Sequence, residues 1–172
     1  MDAGLKAGQF SIYLGNNEDH LRYRIESFYN PMQQIELCTY PYNNVIGKLN
    51  VRQLGIFHEA RFEILQTRNT SNLWFTGNIK RQYTWFADKY IINFAERRIK
   101  MRRRIFSLTF KFYNEVKKLI ASFRMRVFTV TVIKYDVKIF SNEFPDSIYL
   151  LALAAHDNKR TKIYNRSLHR HS

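Results

Sequence analysis

The densest group of charged side chains in this sequence is the nonapeptide ERRIKMRRR, residues 96–104, which holds six cations and one anion. Phosphate is the commonest partner of such a group. Three uses compete for the segment: a grip on nucleic acid, an address read by the nuclear import machinery, and the solvated side of an ordinary helix.

The charges themselves weaken the solvated-helix interpretation. Arg98 with Arg102 and Lys100 with Arg104 are like charges four residues apart, and each such pair costs a helix roughly a few tenths of a kcal/mol. No acids interleave to relieve the repulsion. We therefore predict that a nucleic acid or an import receptor binds the cations of this segment and of a following lysine pair: Arg97, Arg98, Lys100, Arg102, Arg103, Arg104, Lys117 and Lys118.

The excess positive charge of the chain is concentrated around this segment. The chain of 172 residues carries a net charge of +14, of which residues 1–96 contribute +1, residues 97–126 contribute +10 and residues 127–172 contribute +3. A localised patch of this kind indicates an acidic partner, whereas an evenly basic surface would not.

No residue pattern in the sequence points to catalysis. A glycine-rich phosphate loop, a nucleophile elbow and a pair of histidines at helical spacing are all missing. His58 with Glu59 fits a surface pair better than an acid–base pair, and Cys38 fits a buried structural thiol. We expect a protein that is not an enzyme and that uses no cofactor and no metal.

The elements around the basic block predict an α+β fold: a small antiparallel sheet, two helices in the middle of the chain and a C-terminal strand pair. Apolar residues from Gln82 onward recur every three to four positions, which predicts a helix with the basic block near its end. A second helix is predicted over residues 110–123. Strands are predicted from alternating or β-rich segments at residues 8–14, 21–28, 34–40 and 60–65.

The C-terminal part of the chain contains the strongest strand pattern, at residues 127–140, where the apolar face switches midway as at a β-bulge. Residues 147–154 fit a buried strand or a short helix. We expect one α+β domain over residues 1–155, followed by a basic, flexible tail over residues 156–172.

The sequence also bears on the compartment. The single Cys38 suits a reducing environment, and the first residues lack the basic and apolar regions of a secretory signal. The longest apolar run, residues 148–155, is far shorter than the roughly 20 residues that span a bilayer. We expect a soluble intracellular protein with no membrane partner.

Residues 1–99 resemble the replication enhancer protein of plant geminiviruses. The segment GQFSIYLGNNEDHLRYRI, residues 8–25, is similar to that family's first strand, asparagine turn and aromatic-basic strand. YTWFADKYIINFAERRI, residues 83–99, is loosely similar to a later stretch. The most characteristic match lies in residues 48–67 and consists of Asn50, Arg52, Leu54, Gly55, Ile56, His58, Phe62, Ile64 and Thr67.

The resemblance implies a non-enzymatic accessory factor of viral DNA replication in the host nucleus. Such a protein self-associates into homo-oligomers and binds the viral replication initiator, the host sliding clamp and retinoblastoma-related protein. Neither short peptide motif that commonly mediates the last two contacts occurs in this sequence. Those contacts would therefore be made by a folded surface.

A second hypothesis uses the basic block directly. The chain would be a basic, nucleic-acid-binding structural protein, such as a component of a virion or of an organellar ribosome, with residues 97–126 lying on RNA or DNA. Its composition, rich in Phe, Tyr, Ile, Asn and Lys, suits both hypotheses. An enzyme with an unrecognised acidic site is the third and weakest alternative.

Overall fold

In the computed structural model of the chain, the strands form one antiparallel sheet in which each strand pairs with the next along the sequence. The structure describes residues 10–13, 21–29, 33–54, 57–68, 71–126 and 134–168. Within these ranges the elements are β1 (Phe10–Tyr13), β2 (Leu21–Tyr29), β3 (Gln33–Thr39), β4 (Val45–Leu54), β5 (Phe57–Arg68), β6 (Ser71–Gln82), β7 (Ala87–Phe94), β8 (Arg97–Arg104), β9 (Thr109–Tyr113), β10 (Leu119–Arg126), β11 (Lys134–Ile139) and α1 (Asp146–Leu168).

The core is built around the first half of α1. Every residue from 147 to 156 is buried, so this part of the helix is enclosed on all sides. Such burial is required of a helix that is apolar all round. The Tyr149 ring lies 5.2 Å from the Phe112 ring on β9, and Leu151 lies over Gly47 on β4. Because the helix contacts strands from both halves of the sheet, the sheet curves around it.

Alternation along each strand divides the sheet into an inner face, toward α1, and an outer face. On β7, Tyr90 and Ile92 are fully buried and Phe94 nearly so, and they point inward. On β5 the inner residues are Phe62 and Ile64, again fully buried. Side chains of a strand point alternately to its two sides. The residues between these positions therefore face outward.

The predicted α+β class is wrong, because both central helices are strands. The first predicted helix, from Gln82, corresponds to β7 and β8, and the second, over residues 110–123, corresponds to β9 and β10. The residues that suggested the first helix, Tyr90 and Phe94, lie four apart. Four positions are one helical turn and also two full strand alternations, so this spacing fits both structures.

The hairpin of β7 and β8 was not predicted because its tight turn lacks glycine. Ala95 and Glu96, between β7 and β8, both have positive φ, of 48° and 61°. Two residues with positive φ make the hairpin turn that matches the twist of the flanking strands, and Asn-Gly or Asp-Gly is its usual sequence. Nothing in Ala-Glu signals such a turn.

The C-terminal elements also differ from the prediction. The predicted strand pair is absent from the described residues, in which β11 pairs with β10 and residues 147–154 belong to α1. Residues 127–133, where the switch of apolar face was predicted, lie outside the described residues. The helix continues past residue 155 to Leu168, into the segment predicted as a tail. No helix in the described ranges is long and apolar enough to span a bilayer.

Replacing Gly77 with alanine is expected to destabilise the fold. A Cβ at Gly77 would lie 2.6 Å from the backbone carbonyl oxygen of Asn93 and would overlap the ring of Phe62. Overpacking of this kind costs roughly 1–3 kcal/mol. Urea denaturation of the Gly77→Ala protein measures the loss.

Gly47→Ala is the matched control, because its Cβ would lie 3.1 Å from the end of the Leu151 side chain and 3.3 Å from the Leu37 Cβ, contacts that a shift of a few tenths of an ångström relieves. We expect a clearly smaller loss of unfolding free energy there. Equal losses in the two variants would contradict the close approach of β6 to β5 and β7.

Candidate nucleic-acid interface

The basic segment forms β8, and its cations are divided between the two faces of the sheet. Ile99 and Met101 are fully buried and fix the inner face. The residues between and beyond them point outward and form what we term the outer cation row: Arg98, Lys100, Arg102 and Arg104. Alternate residues of a strand are about 6.7 Å apart. The side chains of the row therefore leave one face of β8 at regular intervals along the strand.

Neighbouring strands add further cations to the same face. In the sheet register, Arg102 lies directly opposite Lys89 on β7 and Lys111 on β9. On the described parts of β7–β11, the outer face carries one carboxylate, Asp136, opposite Arg124. The surface so defined, which we term the basic face, comprises the outer cation row together with Lys89, Lys111, Arg124 and Lys138.

An open groove of about 330 Å³ lies on the basic face, where β8 leads into β9. Cationic, hydroxyl and phenol groups line it, and these groups donate hydrogen bonds to phosphate oxygens. The lining residues are Arg102, Arg104, Ser107, Thr109, Lys111 and Tyr113.

No member of the outer cation row forms an ion pair with a carboxylate in the described part of the chain. Lys80 on β6, three strands from Lys111, is instead paired with Glu59 at 3.2 Å. The acids on the outer surface thus neutralise cations elsewhere, and the charge of the row is left for a partner or for solvent.

The two remaining cations of β8 make contacts that stabilise the fold. Arg97 forms an ion pair with Glu143 and lies over the Phe144 ring, with the guanidinium carbon 4.5 Å from its centroid. Arg103 donates to Asp88 at 2.5 Å and lies 5.0 Å over the Phe110 ring. The Arg103 side chain is only one-fifth exposed, whereas Arg97 is about half exposed and is held by its acid partner.

Asp88 is the centre of a polar cluster on the inner face. It accepts a hydrogen bond from Arg81 on β6 at 3.2 Å and from Arg103 on β8 at 2.5 Å, and all three side chains are at most one-fifth exposed.

The Tyr90 hydroxyl lies 3.1 Å from His156 Nδ1. Burial raises the pKa of Tyr90. The Tyr90–His156 pair is almost inaccessible to solvent, which favours a structural role.

Two of the predicted site residues lie away from the row. Lys117 and Lys118 are exposed in the turn between β9 and β10, which is beyond the end of the row at Arg98. Glu115 in the same turn accepts a hydrogen bond from the backbone N–H of Arg98 at 3.0 Å. The structure therefore brings together four of the eight predicted cations, places two at the margin and pairs two with acids.

The residues of the geminivirus-like motif lie on β4 and β5 or between them. Phe62 is fully buried in the core, and Asn50 is half-buried on the outer face. Arg52 and Leu54 belong to β4 and His58 to β5, and no side-chain position is described for these three. Gly55 and Ile56, between the strands, lie outside the described residues.

The residues considered for other chemistry lie in ordinary surroundings. Cys38 is buried, and desolvation raises the pKa of its thiol, which disfavours the reactive thiolate. Glu59 pairs with Lys80 at the surface. In the described residues, no group of three or more His, Cys, Asp or Glu could hold a metal ion.

The predicted site omits Lys89, Lys111, Arg124 and Lys138, because the sequence pattern places them on separate helices and strands. The alternation in TFKFY, residues 109–113, with Lys111 between two phenylalanines, was the available signal.

Comparisons of the chain with protein-family models, with curated proteins and with solved structures found no match. The geometry of the basic face therefore carries the functional argument.

Replacing Asp88 with alanine is expected to lower the free energy of unfolding by roughly 1–3 kcal/mol, because the largely buried guanidiniums of Arg81 and Arg103 lose their common acceptor. Thermal or urea denaturation measures the change. Glu59→Ala, which removes the exposed partner of Lys80, is the control, with an expected loss of at most about 1 kcal/mol. A loss at Asp88 no greater than this would show that the inner cluster does not hold the three strands together.

Proposed function

We propose that this chain is a non-enzymatic binding protein whose basic face binds the phosphate backbone of a nucleic acid. One observation carries the proposal: the outer cation row sets four cations at every second position along one face of β8, without carboxylate partners in the described residues. A linear polyanion is the partner that such a row fits.

The spacing of the row supports a polynucleotide in particular. Its side chains leave the backbone about every 6.7 Å, a repeat that lets successive cations reach successive phosphates of an extended strand. The hydroxyls of Ser107 and Thr109 in the adjoining groove add uncharged donors for phosphate oxygens. Each phosphate that a cation neutralises releases counterions, so binding would depend strongly on salt.

Repulsion within the basic face argues against mere solvation. Lys89, Arg102 and Lys111 lie directly opposite one another on three adjacent strands, and like charges in this arrangement are destabilising. The fold gains nothing from the arrangement. A bound polyanion would relieve the repulsion.

The fold makes an import address a weaker use of the segment. A receptor that reads a basic segment as an extended peptide needs its backbone accessible, whereas both edges of β8 are hydrogen-bonded, to β7 and to β9. Nuclear localisation stays a prediction, and it would have to depend on another part of the chain or on a partner.

The replication-enhancer role stays a proposal that rests on the resemblance alone. Nucleic-acid binding is compatible with it, as it is with a structural nucleoprotein. Self-association measured by light scattering, together with co-precipitation of a replication initiator, would distinguish the accessory role. A monomer that binds nucleic acid but no replication protein would favour the structural one.

Replacing Arg102 with alanine is expected to weaken binding of a fluorescent oligonucleotide roughly tenfold at low salt. The slope of log K against log[salt] should fall by about one unit, because one phosphate contact is lost. Fluorescence anisotropy over a series of salt concentrations measures both quantities. Lys100→Ala should behave in the same way.

Arg61→Ala is the matched control, since Arg61 is exposed on the outer face of β5, three strands from the row. Its affinity and slope should equal those of the unmodified protein. An unchanged slope in the Arg102→Ala protein, or an equal effect in Arg61→Ala, would contradict the assignment of the basic face.

A further inference from the structure

A group of exposed aromatic side chains lies at one end of the sheet. Trp85, Phe86 and Phe106 are 77%, 82% and 101% exposed, and Tyr83 is also exposed. They occupy the loops that join β6 to β7 and β8 to β9, which the alternating strand directions place at the same end of the sheet. We term these four residues the aromatic edge.

The two loops of the aromatic edge are joined to each other. The backbone N–H of Ile105 donates to the carbonyl oxygen of Phe86 at 3.2 Å. The rings of Tyr83 and Trp85 meet edge to face, with centroids 5.6 Å apart. The aromatic rings are therefore held on an ordered pair of loops.

Phe106 combines an unusual turn conformation with an exposed ring. Its φ is 65°, in the left-handed region that bulky residues rarely adopt, and its side chain is entirely exposed. The chain thus accepts backbone strain without burying the ring. Strain together with an exposed apolar group is typical of binding sites.

The aromatic edge is continuous with the outer cation row. Arg104, the last residue of the row, is followed directly by Ile105 and Phe106. The groove that contains Arg102 and Arg104 also contains Ser107, on the same loop as Phe106. A ligand that lies along the row toward Arg104 therefore reaches the aromatic rings.

We propose that the nucleic acid bound by this chain is single-stranded, with its phosphates on the outer cation row and its unpaired bases stacked on the aromatic edge. This inference rests on the proposed function. Stacking on aromatic side chains needs an accessible base face, which a single strand offers and an intact duplex encloses. A cationic track ending in aromatic rings supplies both kinds of contact.

The direction of the row favours a linear polymer over a lipid surface. A bilayer that contacted the loop tips would lie across the ends of the strands, and Arg98 is about 20 Å along β8 from Arg104. Charges are largely screened beyond about 10 Å at 0.1 M salt. Arg98 and Lys100 would then contribute little to lipid binding, whereas a polymer lying along β8 meets the whole row.

The first test compares three ligands of equal length: a single-stranded oligonucleotide, its duplex, and an abasic strand with the same backbone. The unmodified protein is expected to bind the single strand roughly tenfold more tightly than either of the others. Trp85→Ala and Phe106→Ala should each remove most of this preference. Tyr42→Ala, which alters an 80% exposed aromatic residue at the opposite end of the sheet, should leave it intact.

Two further measurements separate stacking from charge. Trp85→Ala should weaken single-strand binding with the salt slope unchanged, because no phosphate contact is lost. In a Trp74→Phe protein, Trp85 is the single remaining tryptophan, and its fluorescence should be quenched by the single strand and not by the abasic strand.

The possible failures are distinguishable. Equal affinity for single strand, duplex and abasic strand, with Arg102→Ala still weakening all three, would overturn this inference and leave the proposed function standing. Failure of every nucleic acid to bind would overturn both. Binding to vesicles that contain anionic phospholipid, lost in Trp85→Ala while single-strand binding is not, would reassign the aromatic edge to a lipid surface. Loss of self-association in that variant, with single-strand binding unchanged, would reassign it to a second copy of this chain.

Discussion

The burial of the first half of α1 inside the curved sheet is the constraint on which the rest of the structure depends. Residues 147–156 have no solvent-facing side, so strands from both halves of the sheet must present apolar side chains toward them. Each strand that contacts the helix then has an inner and an outer face that cannot be exchanged, because a shift by one residue would turn its apolar side chains outward. The distribution of charge follows from this requirement.

The basic segment shows the consequence most clearly. Ile99 and Met101 occupy the inner face of β8, so Arg103, in phase with them, is also turned inward, where Asp88 neutralises it. The outer cation row lies in the opposite phase, and none of its members pairs with an acid in the described part of the chain. One strand therefore uses its cations in two ways, as an internal ion pair that stabilises the fold and as an external row of charge suited to a polyanion.

The sequence predicted the position of the charge and not its geometry. The uneven distribution of charge located the basic block, and the strands predicted at residues 21–28 and 34–40 overlap β2 and β3. The central strands were taken for helices because a four-residue spacing suits both periods and Ala95–Glu96 carries no turn signal. The aromatic edge was missed for the same reason: YTWF was read as the start of a helix. The sheet register places Arg102 opposite Lys89 and Lys111, and no local sequence pattern reveals this register.

The most direct test of this account is the accessibility of single cysteines along β8. In a Cys38→Ser background, Lys100→Cys, Met101→Cys, Arg102→Cys and Arg103→Cys proteins would be treated with a charged thiol reagent under native conditions. We expect rapid modification at positions 100 and 102 and slow modification at 101 and 103. Similar rates at all four positions, or accessibility repeating every three to four residues over a longer series, would contradict it.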